Sequence, residues 1–127
     1  MKSFSRGRPG KRDGEIVETI HVPAIPASAH WGYAKSCRKT GDFAHAIGAY
    51  FHDPDRSVCR AVIGAIGGKP IVFTDARALF GGSAGSQKRI DRKLVEQAMN
   101  AHGLTDPIEQ QMHFACLRRA IDQAERP

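Results

Sequence analysis

Apolar and polar positions along the chain fall into two regimes, a period of two in the first half and a period near 3.6 in the second. The first stretch, Glu15 to Val22, is rich in β-branched residues. Ile16, Ile20 and Val22 share one parity and Glu15, Thr19 and His21 the other, with Val17 and Glu18 breaking the alternation. That pattern predicts a strand with one buried face. Pro23 and Pro26 end it, because proline brings no donor to a strand ladder. Ile25 to Ala29 reads as a loop, and His30 to Ser36 as a second extended segment with Trp31, Tyr33 and then Cys37 on one side. Arg38 to Asp42 is a turn in which Gly41 can take a positive φ at little cost. From Phe43 to His52, Ala44, Ala46, Ile47, Ala49, Tyr50 and Phe51 leave no polar face, so the later part reads as a strand buried on both sides. Asp53-Pro54-Asp55 reverses the chain and Val58 to Ile66 returns, ending at Gly67-Gly68; the two strands make an antiparallel hairpin.

Lys69 to Phe73 is short and extended. Thr74 is placed to cap a short helix, Asp75 to Phe80. A second helix starts at Ser86 or Gln87 and runs to about Ala101, with Ile90, Leu94, Val95 and Ala98 as its apolar stripe and Gly103 as its stop. Asp106 and Pro107 open the last helix as N-cap and first helical residue. It extends to about Gln123, with Ile108, Met112, Ala115 and Cys116 on one face, widened by Phe114, Leu117 and Ile121. Strands first and helices last predict an α+β fold: an antiparallel sheet of three to four strands followed by about three helices packed on one face.

Composition adds a boundary. Of 127 residues, 41% are hydrophobic and 25% charged, the balance of one globular domain. The formal net charge is +6. Lys2, Arg6, Arg8, Lys11 and Arg12 concentrate at the start, interrupted by Gly7, Pro9 and Gly10. Residues 1–13 are therefore expected to be a flexible basic arm and residues 14–125 the folded domain. A solvated tail is favoured over a nucleic-acid contact for that arm. No apolar run approaches the ~20 residues of a membrane span, and no signal peptide is evident, so the expected setting is the cytoplasm.

Chemical motifs are sparse. Cys37, Cys59 and Cys116 form no CxxC pair, and the six histidines fall in no metal-ligand spacing. Gly81, Gly82 and Gly85 read as a linker between helices, since no strand feeds them and no Lys-Ser/Thr follows. Cys59 and Arg60 point to opposite faces of a strand, which makes Cys59 a structural thiol. One segment stands apart, Trp31 to Ala44. Tyr33 and Lys35 project on the same side of an extended chain, about 7 Å apart. An aromatic ring and a cation so placed can serve a planar, anionic ligand, the ring stacking or shielding and the ammonium neutralising charge.

The same segment, Tyr33-x-Lys35-x-x-Arg38-Lys39-Thr40-Gly41-Asp42-Phe43-Ala44, closely resembles the motif that opens the C-terminal domain of the FAD-binding medium subunit of molybdenum hydroxylases, the carbon monoxide dehydrogenase and xanthine dehydrogenase family. Four other stretches are similar to that domain in the same order: Asp13 to Pro23, Ile63 to Pro70, Ala76 to Gly82, and Leu117 to Ile121. The resemblance spans roughly 13 to 122.

The resemblance implies an accessory domain that helps close a flavin site. In such enzymes electrons pass from molybdenum on a molybdopterin large subunit, through the 2Fe–2S small subunit, to FAD on the medium subunit. By analogy Tyr33 lies near the isoalloxazine, Lys35 contacts FAD, and Asp42 fixes the loop and Arg38. No catalytic residue and no metal ligand is implied within this chain. Two departures stand out. Nothing here supplies the glycine-rich pyrophosphate loops of the family's FAD-binding domains, so the chain is expected to hold only part of a flavin site. The family's Asp…Tyr-Arg pair before the final helix keeps only its aspartate, Asp106. The alternative from a different class is a small basic binding module for nucleic acid or an acidic protein.

Overall fold

The period-two half of the chain builds a sheet. The computed structural model describes residues 12–80 and 89–126. Strands β1 (His30–Ser36), β2 (Ala46–Asp53), β3 (Val58–Gly64) and β4 (Ile71–Phe73) lie side by side in that order, each antiparallel to the next. A short 3-10 helix (Ala76–Phe80), α1 (Arg92–Ala101) and α2 (Pro107–Ala124) follow. The arrangement is α+β, with two α-helices among the described residues; the first of the three helices expected is reduced to the 3-10 segment. Asp75, rather than Thr74, caps it by accepting from the backbone N–H of Arg77.

The two later helices start where side-chain acceptors stand. Asp91 caps α1 by accepting from Lys93 N at 2.9 Å, so the described helix begins at Arg92. A continuous helix from 86–87 is therefore not formed, since residues 89–91 are described and not helical; residues 86–87 themselves, the 81–85 glycines and the basic residues 1–11 lie outside the described residues. Asp106 caps α2 through Ile108 N and Glu109 N, with Pro107 in the first turn.

One face of the sheet is covered by α2, which runs along β1 and β2. Two glycines make this possible. A Cβ on Gly32 would fall on the carbonyl of Ala120, and one on Gly48 on the main chain of Cys116 and Leu117. The core between the layers holds Tyr50, Cys59, Ala61, Ile63 and Ile71 from the sheet. Against them sit Val95 and Met99 from α1, and Leu117, Ala120, Ile121 and Ala124 from α2. Gln110 joins the helices, donating to Asn100 Oδ1 at 2.7 Å and to the Leu104 carbonyl at 2.8 Å.

Three sequence expectations need correction. Residues 15–22 form no strand. Ile16 is 89% exposed, and the hydrogen bonds there are the local pair between Arg12 and Glu15. A strand needs a neighbour, and at the β1 edge the Tyr33 N–H is already taken by the Gln123 side-chain oxygen at 3.0 Å. Next, β2 is not buried on both faces. Ala46, Gly48 and Tyr50 are buried, whereas Ile47, Ala49 and Phe51 are only half-buried. Last, the inward face of α2 is rotated from the one expected. Ile108 is 76% exposed, and the buried stripe is Gln110, His113, Cys116, Leu117, Ala120, Ile121 and Ala124. The stripe passes through two polar residues, which a hydrophobic pattern does not reveal.

Candidate functional site

The face of the sheet turned away from α2, which no described helix covers, carries two of the residues singled out in sequence, Tyr33 and Lys35. Strand alternation fixes which side chains share a face. Gly32 and Ala34 point to α2, so Trp31, Tyr33 and Lys35 point away from it. The registers extend this into three rows. Trp31 lies opposite Phe51, and Phe51 opposite Arg60. Tyr33 lies opposite Ala49, then come Val62 and Val72. Lys35 lies opposite Ile47, and Ile47 opposite Gly64. Trp31 is 59% exposed and Tyr33 46% exposed, and Lys35 and Arg60 also reach solvent.

Tyr33 and Lys35 are thus brought together on one open face. Asp42 is not on it. It sits in the loop between β1 and β2, where Gly41 takes φ +87° and Asp42 N donates to the Lys39 carbonyl. Its carboxylate accepts from Phe43 N at 2.9 Å, an interaction that shapes the loop. His45 N donates to the Ser36 carbonyl at 2.7 Å and closes the loop at its base. Phe43 stands out at 92% exposure. Trp31, Phe51, Arg60 and Val62 share the face but were not singled out as site residues; their parity with Tyr33 was the available signal for Trp31, and only the strand register supplies the others.

Two buried polar clusters are also present. Asp53 is fully buried at the end of β2, where Ser28 Oγ donates to Oδ1 at 2.8 Å and Asp55 N at 3.1 Å. The guanidinium of Arg56 lies 3.7 Å from Oδ2. On the helix side, the Tyr50 hydroxyl lies 3.4 Å from Cys59 Sγ and donates to Glu125 Oε1 at 3.3 Å, with His52 Nδ1 3.7 Å from the same carboxylate oxygen. Burial is the main cause that pushes the Tyr50 hydroxyl well above the ordinary tyrosine range; the neighbouring Cys59 and Glu125 add to it. Burial likewise raises the Cys116 thiol. Cys59 is buried and Arg60 exposed, as their alternation requires.

No group of three or more His, Cys, Asp or Glu among the described residues could hold a metal ion. No described helix is long and apolar enough to cross a membrane. No family model, curated protein or solved structure matches the chain.

Proposed function

We propose that this chain is an accessory domain of a molybdenum hydroxylase flavin subunit, working in the cytoplasm, and that its open sheet face closes over one side of a bound FAD. The observation that carries the reading is the joint placement of Tyr33 and Lys35 on an uncovered, largely apolar sheet face. A planar ring system needs a flat, apolar surface with a few placed polar groups, and this face has that character. It fits one side of the cofactor only, for its polar groups are few and, among the described residues, no enclosing wall rises from it. The remaining contacts belong to FAD-binding domains, and the molybdopterin large subunit and 2Fe–2S small subunit complete the proposed assembly.

When bound, FAD supplies electron acceptance and onward transfer. Tyr33 would lie against the ring and exclude water from it. Lys35 would hold a positive charge beside the pyrimidine edge, where electron acceptance adds negative charge. The Asp42–Phe43 contact holds the adjacent loop and acts on the site through backbone position.

The test has two steps. The purified chain alone should show no saturable flavin fluorescence quenching at low micromolar FAD. With the FAD-binding domains of a carbon monoxide dehydrogenase-type medium subunit added, it should form a complex measurable by calorimetry. In that complex Lys35→Met should lower the flavin midpoint potential by a few tens of millivolts, since a nearby charge worth on the order of 1–3 kcal/mol converts at ~30 mV per 1.4 kcal/mol for two electrons. No complex, or a potential unmoved by Lys35→Met, would refute the assignment.

A further inference from the structure

We propose that the open sheet face is a stacking platform for single-stranded nucleic acid. The inference adds Trp31, Phe51 and Arg60, which the flavin reading leaves idle, to Tyr33 and Lys35, and it does not rest on that reading. Trp31 and Phe51 are paired across adjacent strands, and Tyr33 follows two residues along from Trp31 on the same face. A four-stranded antiparallel sheet that presents aromatic rings from neighbouring strands can stack two or three unpaired bases. Every base has a π-face, so such a surface binds without strong sequence preference.

The charges select a polyanion over an apolar protein surface. Arg60 extends the Trp31–Phe51 row, and Lys35 stands beyond Tyr33 toward the other end of the strand. Arg38 and Lys39, both exposed, follow directly after β1. Among the outward-facing strand positions the one carboxylate is Asp53, and it is fully buried and bonded to Ser28. The face therefore offers rings on β1 and β2, cations on β1 and β3, and no exposed anion at a strand position. The whole chain, at net charge +6, adds a long-range attraction of the same sign. A base stacked on Trp31 or Tyr33 leaves its phosphate within reach of Lys35 or Arg60, which is the division of labour expected of single-strand binding grooves.

Trp31 is the only tryptophan of the chain, so its fluorescence reports on the proposed platform directly. Titrating the full chain with an oligothymidylate of about twelve nucleotides at low salt should quench it saturably, and the affinity should fall steeply as salt rises. Tyr33→Ala should weaken binding about 5- to 150-fold, the loss of one stacked base. The double charge reversal Lys35→Glu with Arg60→Glu should flatten the salt dependence. All three side chains are exposed, so circular dichroism should show the fold unchanged. A blunt duplex of the same length should bind more weakly, because its bases are not free to stack. Absence of saturable quenching would overturn the proposal and leave the face to a protein partner. So would binding that survives Tyr33→Ala but disappears on deletion of residues 1–11, for that would be attraction to the basic arm alone.

Discussion

Replacing Gly48 with alanine tests how closely α2 is seated on the sheet. The added methyl would meet the main chain of Cys116 and Leu117. Those are backbone atoms in the middle of a helix, so no side-chain rotation relieves the overlap; α2 must lift or tilt. Cys116, Leu117, Ala120 and Ile121 are all buried at this contact. A gap of 0.5–1 Å forfeits roughly a quarter to a half of each dispersion contact, and burial of Leu117 and Ile121 is worth about 1.5–3 kcal/mol apiece. With the usual overpacking cost of about 1–3 kcal/mol as a guide, Gly48→Ala should destabilise the domain by about 3 kcal/mol. For a domain of about 100 residues, 1 kcal/mol corresponds to roughly 5 °C in Tm, so calorimetry should show a fall of about 15 °C. Gly64→Ala is the matched control. It lies in β3, its added methyl would sit 3.4 Å from Ile47 Cβ, and the substitution should leave Tm unchanged or raise it slightly. A loss below about 3 °C for Gly48→Ala, or an equal loss for Gly64→Ala, would refute the reasoning that backbone contact sets this interface.

Tyr50 should make the fold sensitive to alkali. Its hydroxyl pKa is raised in the folded state, chiefly by burial, so its stabilising contribution is complete below the ordinary tyrosine value of about 10 and is lost as pH rises above it. Urea unfolding at pH 9, 10 and 11 should show stability falling more steeply in the parent than in Tyr50→Phe; parallel slopes would count against the assignment. Asp106→Ala removes the acceptor for Ile108 N and Glu109 N and should cost about 0.5–2 kcal/mol, read as a lower Tm, while Asp106→Ser should recover most of it.

Much of the architecture was legible because it depends on local chemistry. The hairpin turn at Asp53–Asp55, the positive φ of Gly41 and the Asp106-Pro107 helix start each follow from residues within a few positions of one another. What was not legible depends on distant partners. Residues 15–22 have the alternation of a strand, but pairing requires a free edge, and Gln123, about 90 positions away from Tyr33, occupies part of it. The inward stripe of α2 includes Gln110 because Asn100 and Leu104 supply its partners. The same division holds for the candidate site. Tyr33 and Lys35 share a face by simple alternation along one strand. Phe51 and Arg60 join them only through the register of β1, β2 and β3, which no spacing within a single segment reveals.

The bond from Tyr33 N–H to Gln123 bears on how anything larger could be assembled around this domain. An outer strand usually invites extension, since its free backbone groups are a template for another chain. Here α2 lends a side-chain amide to that border, so a newcomer seeking to lengthen the sheet beside β1 must first displace it. Approach perpendicular to the sheet meets no such obstacle among the described residues. On the β1 side, growth is thereby steered from widening to layering: a partner there would settle on top of Trp31, Tyr33 and Phe51 as a third storey, with the sheet as the floor between it and α2.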